Sequence, residues 1–491
     1  MASFCGHLSV FIPICLQWLA WVVTAQQKNI PVWTWLDGSM LVNQSSTLTR
    51  HTTGKQYPGS RVDSAVWTDT DTGVMWMFGG RVGSGSPALN ELWRYSMSSG
   101  DWTNIKHDRE HQWPQSRYAA AVCGVPGSFL VVHGGAESAV NLLSDTWLYH
   151  LHNESWTLLQ ESSDPGAQTN RLHWCTRNAL WLLTLKETTI DPDTMWRYSL
   201  MNYEWEQVSA DFDDVLSRQT HVVGQRYGST TWVVNDTELY LLGARPSDSG
   251  HNEEERCQGK KQECALWRFS TVSNKWRRVS FNYTNTRAGE VVDSDLIEFT
   301  ATPGCPAKGA SWQDTDGNLW LQDSSAGMDT CEKKQHARSD LWMFDLQHNR
   351  WEHFKSLLSP QYQLGYEIIQ GMSDVRNHPA PRAYCASWSW NNTYYLFGGL
   401  ARNGSNGALN DLWSFQLVGV DSLEGRPTST MAISPVGVFF LSLGALCFLA
   451  LLVFSIIFFS KCSTGPRLKP PNHFGDKIRY SPVETDEVFI T

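Results

Sequence analysis

The chain has 491 residues, 41% hydrophobic and 18% charged, with 37 Gly and 20 Pro, which excludes a disordered or collagen-like polymer. Its 39 basic and 49 acidic side chains give a net charge of −10, so there is no basic footprint and nucleic acid is not an expected partner. Trp, at 25 copies, outnumbers Phe at 20, Tyr at 15 and Met at 11, and that order points to a Trp-bearing unit copied several times.

In chain order, residues 8–23 form an apolar run followed by Val23-Thr24-Ala25. The run reads as a signal peptide spanning residues 1–25, with an uncleaved anchor as the alternative. After it come five pairs of Trp nine residues apart: Trp93 and Trp102, Trp147 and Trp156, Trp196 and Trp205, Trp267 and Trp276, Trp342 and Trp351. The first member of each pair sits in an alternating strand such as Leu92-Trp93-Arg94-Tyr95, and the second follows turn residues such as Ser98-Ser99-Gly100-Asp101, so each pair predicts a hairpin. Two further strands precede each pair, as in Arg61 to Trp67 and Val74 to Phe78, the latter ending in Gly79-Gly80. A sixth unit begins at Arg382 and ends at Leu412-Trp413-Ser414-Phe415; nine residues after Trp413 stands Ser422. It therefore lacks a fourth strand, and Val32-Trp33-Thr34-Trp35 is predicted to supply it and close the ring.

The double Gly after an apolar strand, the string Leu409-Asn410-Asp411-Leu412-Trp413-Ser414-Phe415 and the spaced Trp resemble the kelch-repeat β-propellers, over about residues 31–417. Trp67 to Trp76 and Trp312 to Trp320 are similar to secreted and surface kelch proteins. The resemblance implies an all-β, six-bladed propeller whose Arg61, Arg117, Arg171, Arg226 and Arg382 tie neighbouring blades together. Units three to five depart from it, with Leu183-Thr184-Leu185, Gly243-Ala244 and Asp323-Ser324 in place of Gly-Gly. The linkers 277–303 and 352–381 are long enough to leave a seventh blade open.

Chemistry-bearing strings are few. His107-Asp108-Arg109-Glu110-His111 matches H-x-x-E-H, which binds zinc only on one helix; here it lies in a linker and reads as solvated loop. No catalytic residue, metal ligand or cofactor is assigned. Galactose oxidase shares the kelch fold, so a membrane-tethered propeller enzyme of that or another sugar-modifying kind is the competing reading. Most Trp fall on repeating strand positions and read as core; Trp113, Trp174, Trp181 and Trp390 lie off the paired columns and are the exceptions that could face a ligand.

Sequons stand at Asn43, Asn153, Asn235, Asn282, Asn391 and Asn403, each a candidate N-glycosylation site. Seven Cys lie between residues 26 and 432, and in an oxidising lumen most should pair. Cys257 with Cys264 and Cys305 with Cys331 are the local candidates, each bracketing a polar insertion; the pairing of Cys123, Cys175 and Cys385 stays open.

Antiparallel order a, b, c, d within a unit places the a–b and c–d turns on one face and the b–c and d–a loops on the other. The long insertions at 245–263, 277–303, 324–339 and 352–381 are all b–c or d–a loops, so that face is the expected binding surface. His251 to Arg256 and Cys331 to Lys334 fall there.

A stalk at 418–432 leads to residues 433–460, which carry no charge and are long enough to cross about 30 Å of hydrocarbon as a transmembrane helix. Lys461, Arg467, Lys469, Lys477 and Arg479 make the tail, 461–491, cytosolic by the positive-inside rule. The tail offers Cys462 for palmitoylation and Tyr480-Ser481-Pro482-Val483, whose Tyr480 and Val483 resemble a sorting signal read by an endocytic adaptor. The expectation is a single-pass type I glycoprotein of the plasma membrane, cycling through endosomes. Its kelch ectodomain would serve recognition or adhesion, binding an extracellular protein or glycan.

Overall fold

Six sheets, antiparallel but for one parallel pair at the edge of the fourth, follow one another along the chain. The computed structural model describes residues 29–46, 55–83, 85–107, 112–161, 164–167, 172–184, 194–212, 229–244, 264–279, 297–298, 303, 309–322, 341–354, 368–401 and 407–419. The chain divides into two units, residues 1–423 and 424–491, and all described residues belong to the first.

β1 (Asn29–Asp37) comes before the first sheet. Blade 1 is then β2 (Ala65–Asp69), β3 (Val74–Phe78), β4 (Leu92–Ser96) and β5 (Asp101–Ile105); blade 2 is β6 (Ala121–Val125), β7 (Phe129–Ala136), β8 (Leu142–His150) and β9 (Ser155–Gln160). Blade 3 is β10 (Leu172–Thr176), β11 (Ala179–Thr184), β12 (Thr194–Ser199) and β13 (Trp205–Val208). The short β14 (Asp211–Phe212) crosses to blade 4, which is β15 (Thr230–Val234), β16 (Glu238–Ala244), β17 (Cys264–Ser270) and β18 (Lys275–Arg278). β19 (Ile297–Glu298) edges blade 5, made of β20 (Ser311–Gln313), β21 (Leu319–Gln322), β22 (Leu341–Asp345) and β23 (Arg350–Phe354). Blade 6 joins β24 (Ser373–Asp374), β25 (Arg382–Ala383), β26 (Ala386–Trp390), β27 (Thr393–Ala401) and β28 (Ala408–Gly419) to β1. The strands found in the two long linkers, β19 and β24, extend blades 5 and 6 instead of founding a seventh.

The nine-residue Trp spacing has a local cause. In the c–d turns the residue two before the second Trp is left-handed each time: Gly100, Glu154, Tyr203, Asn274 and Asn349 have φ between 52° and 72°. This residue completes a tight turn that sets the register of the hairpin. The register then places the aromatic two after the first Trp directly opposite the second, as in Tyr95 with Trp102 and Phe344 with Trp351. The ring centroids of that pair are 5.0 Å apart in blade 1, 4.9 Å in blade 2, 4.8 Å in blade 3, 5.0 Å in blade 4 and 5.1 Å in blade 5. Cross-strand aromatic pairs of this kind contribute about 0.2–1 kcal/mol each relative to an Ala–Ala pair.

Blade 6 repeats the contact with a strand from the other end of the chain. β1 pairs with β28, opposing Trp33 to Phe415, with centroids 4.7 Å apart. Trp33 also meets Trp413 edge-on at 6.5 Å, as Trp102 meets Trp93 at 6.3 Å. The N-terminal strand thus closes the ring as the sequence predicts, and Trp33 is the residue that takes the outer Trp position. β28 runs to Gly419, two residues past the expected end of the propeller.

Candidate functional site

Adjacent blades are joined at two radii, and both junctions shape the surfaces available to a ligand. At the long-loop end, Arg61, Arg117 and Arg382 each bond a carboxylate of their own blade. Arg117 holds Asp145 at 2.7 and 2.8 Å, Arg61 holds Glu91 at 2.6 Å, and Arg382 meets both oxygens of Asp411. The same carboxylates accept the indole N–H of Trp147, Trp93 and Trp413. Each guanidinium also donates to the first carbonyl of the Gly pair, Gly79, Gly134 or Gly398. Burial pulls the Arg61 guanidinium below its ordinary value, with Glu91 opposing. Burial works to raise the Glu91 carboxyl, but the charge of Arg61 and bonds from Arg61, Trp93 and Ser46 outweigh it and leave it below the usual carboxylate range.

The tie to the neighbouring blade is made by the backbone of the Arg. Arg117 N donates to Leu89 O and Gly80 N donates to Arg117 O; Arg61 N donates to Leu409 O and Gly399 N to Arg61 O. At Arg61 and Arg117 the expected tethering therefore holds with a division of labour: backbone to the preceding blade, side chain to its own. Gly is needed where the next blade closes in. Gly79 has φ +68° and a Cβ there would lie 2.2 Å from Arg117 O. Arg171 and Arg226 lie outside the described residues.

At the inner radius a second device appears that the sequence did not disclose as a column. One strand-a position, opposite a strand-b aromatic in every blade but the second, is Trp67, Cys123, Trp174, Trp232, Trp312 and Trp388 in blades 1 to 6; Cys123 faces Val131. Three of these indoles cross to the next blade: Trp174 Nε1 donates to Tyr240 O at 2.8 Å, Trp232 Nε1 to Trp320 O at 3.0 Å and Trp312 Nε1 to Tyr395 O at 2.9 Å. In blade 1, Trp67 packs where a Cβ on Gly124 of blade 2 would sit 2.9 Å from its ring. In blade 2 the Trp is replaced by Cys123, which forms a disulfide with Cys175 of blade 3 across a Cα separation of 5.0 Å. Trp174 and Trp181, expected as exceptions facing a ligand, are core residues at 2% and 5% exposure. Indole N–H groups need a partner once buried, and the neighbouring strand edge supplies one for Trp174.

The residues before this column line a central channel of 340 Å³. Val66 and Val122 line it in blades 1 and 2; His173, Thr231, Ser311 and Ser387 follow in blades 3 to 6. Their hydroxyls are committed to neighbouring carbonyls: Thr231 Oγ1 to His173 O, Ser311 Oγ to Thr231 O and Ser387 Oγ to Ser311 O. The polar wall of the channel is thus a seam between inner strands, with the hydroxyl protons of Thr231, Ser311 and Ser387 spent on neighbouring carbonyls.

On the long-loop face, the described loops present exposed apolar tips: Leu41, 70% exposed, after β1, and Val140, 93% exposed, between β7 and β8. Trp113 stays half-buried there, with its indole N–H donating to Asn90 O. The His107 ring lies tilted against Trp113 with centroids 5.0 Å apart, while residues 108–111 of the H-x-x-E-H string lie outside the described residues. So do His251 to Arg256, Cys257, Cys305, Cys331 to Lys334, Asn282 and Asn403, and the side chain of Cys264. The segments 1–25 and 433–460, and the tail with Cys462, Tyr480 and Val483, are likewise outside. Among the described residues no three His, Cys, Asp or Glu side chains gather as metal ligands, and no helix is long and apolar enough to cross a membrane.

The described sequons are exposed in turns. Asn153 is in the c–d turn of blade 2, where its Oδ1 accepts from Ser155 Oγ at 2.8 Å. Asn235 and Asn391 open the a–b turns of blades 4 and 6, each followed by a second left-handed residue. Asn43 follows β1 on the other face, and its Oδ1 accepts from Ala408 N at 3.1 Å.

With this geometry in view, the comparisons with known proteins are specific on one point. No curated protein matches the chain. Residues 37–224, covering blades 1 to 3, match a family described as the KLHDC2/KLHL20/DRC7 Kelch-repeats domain; the described chain is a six-bladed β-propeller whose first three blades match this kelch-repeat domain.

Proposed function

We propose that the protein is a single-pass type I cell-surface recognition or adhesion molecule whose propeller binds an extracellular protein or glycan through its b–c and d–a loops. Kelch-type propellers are commonly protein-interaction scaffolds. The observation that carries the reading is the asymmetry of the two faces. Five c–d turns of uniform make close one face, while the other carries the long, unequal loops; apolar tips are exposed on both, Leu41 and Val140 on the loop face and Met201 and Val272 on the tight-turn face. Variable loops on a rigid scaffold are where binding concentrates.

The lumenal side of the proposal draws on Cys123 and Cys175. Structural disulfides persist in oxidising compartments and are rare in the cytosol, and this one takes the place of the Trp latch at the seam between blades 2 and 3. The apolar segments 8–23 and 433–460 fit entry into the secretory pathway and a membrane stop.

Topology is tested with two tags on the full chain in intact cells, one inserted at Gly85 in the loop between β3 and β4 and one after Thr491. The reading predicts that antibody binds the loop tag without permeabilisation and the C-terminal tag only after it. Equal staining of both only after permeabilisation contradicts it.

A further inference from the structure

A groove of 650 Å³ opens on the tight-turn face between blades 3 and 4, a volume within the roughly 300–1,000 Å³ of small-molecule sites. Its floor is apolar and buried: Ala179, Trp181 and Val208 are 2%, 5% and 8% exposed. Its walls are polar. Arg197 and Glu206, bonded to each other at 3.3 Å, come from β12 and β13, and Thr271 and Asn274 come from the c–d turn of blade 4. With Arg197 lying over the Trp181 ring at 5.9 Å, what the groove offers a ligand is chiefly donors and acceptors, which suit the hydroxyl edges of a sugar.

The groove has a sequon on it. Asn235, of Asn235-Asp236-Thr237, lines it and starts the turn between β15 and β16, with φ +51° at Asn235 and +58° at Asp236. Two left-handed residues in succession make a type I′ hairpin turn, which fixes the asparagine against the strands below. Asp236 is itself fixed from blade 3, accepting from Arg177 N at 2.9 Å. Among the described residues no hydrogen bond occupies the Asn235 side-chain amide, whereas those of Asn153 and Asn43 accept bonds. The turn with Asn391 has the same left-handed pair, but Asn391 does not line the groove.

We infer that Asn235 carries an N-glycan whose first sugars seat in this groove, so that the chain fills the cleft between blades 3 and 4 with its own carbohydrate. The inference rests on the lumenal placement proposed above. A seated glycan closes the tight-turn face over these two blades and directs partners to the long-loop face.

The test is glycopeptide mapping of the full chain from secretory cells, followed by release of the glycans with a peptide amidase without denaturation. Asn235 should be occupied, and its glycan should be released about tenfold more slowly than those on Asn153 and Asn391, the effect of ~1.4 kcal/mol of packing. Glu206→Ala, at an exposed strand position, should bring the rate towards theirs, and Arg197→Ala is the second variant. Occupancy of Asn153 and Asn391 with Asn235 bare, or equal release from all three, overturns the groove and leaves the lumenal reading standing. Absence of glycan from every sequon overturns the lumenal reading and the groove with it.

Discussion

A buried guanidinium is tolerable only while its carboxylate stays in place. Arg382 and Asp411 have side chains 0% and 1% exposed, so Asp411→Ala strands a charge in the interior and should cost ~3–5 kcal/mol, read as a lower urea midpoint. Glu91 gives the same motif a pH dependence. Its folded-state pKa lies below the ordinary value, so the stability it contributes is complete at neutral pH and is lost as pH falls through the folded pKa. Glu91→Gln should therefore narrow the difference in urea midpoint between pH 7 and about pH 3.5, below the ordinary glutamate value of about 4.3. Glycine separates conformational strain from collision. Gly85 has φ +79° with nothing within 4 Å of a Cβ, and Gly79 has φ +68° with Arg117 O 2.2 Å away. Gly85→Ala should cost ~1–2 kcal/mol from the backbone alone, and Gly79→Ala should exceed about 4 kcal/mol or prevent folding.

At the scale of the strand, the blade count was legible because one spacing recurred five times, and the reason is the left-handed turn residue that opposes each aromatic pair. The ring closure was legible from a deficit at Trp413 and a surplus at Trp33. The inner column was not, because its Trp stand seven to nine residues before their strand-b partners, a distance that varies with the length of the a–b turn, and because blade 2 uses Cys123 instead. For the same reason the Cys123–Cys175 pair could not be chosen over Cys385: 52 residues separate its members, and only the adjacency of inner strands brings them together. Two predictions follow the strands. Trp33→Ala should cost as much as Trp102→Ala, ~3–5 kcal/mol, because both fill the outer position of a blade. Replacing Cys123 and Cys175 together by Ser should cost ~2–4 kcal/mol, and a reducing agent should lower the urea midpoint of the wild-type chain by more than that of the double variant.

For the whole molecule, the tight-turn face is short, regular and the site of Asn153, Asn235 and Asn391, while the loops that differ most between blades share the other face. Blade 2 permits a direct comparison of the two faces, since a new sequon can be placed at either end of it. Ser138→Asn with Val140→Thr puts a glycan on the loop between β7 and β8, where Val140 is 93% exposed. Pro126→Asn puts one in the turn between β6 and β7 through Ser128. The measurement is aggregation of cells displaying each full-length variant with a panel of unmodified cell types. The account predicts that the glycan at position 138 abolishes aggregation and the one at position 126 leaves it unchanged. Loss of aggregation from the glycan at position 126 alone, or no aggregation by the unmodified chain with any cell type, would contradict it.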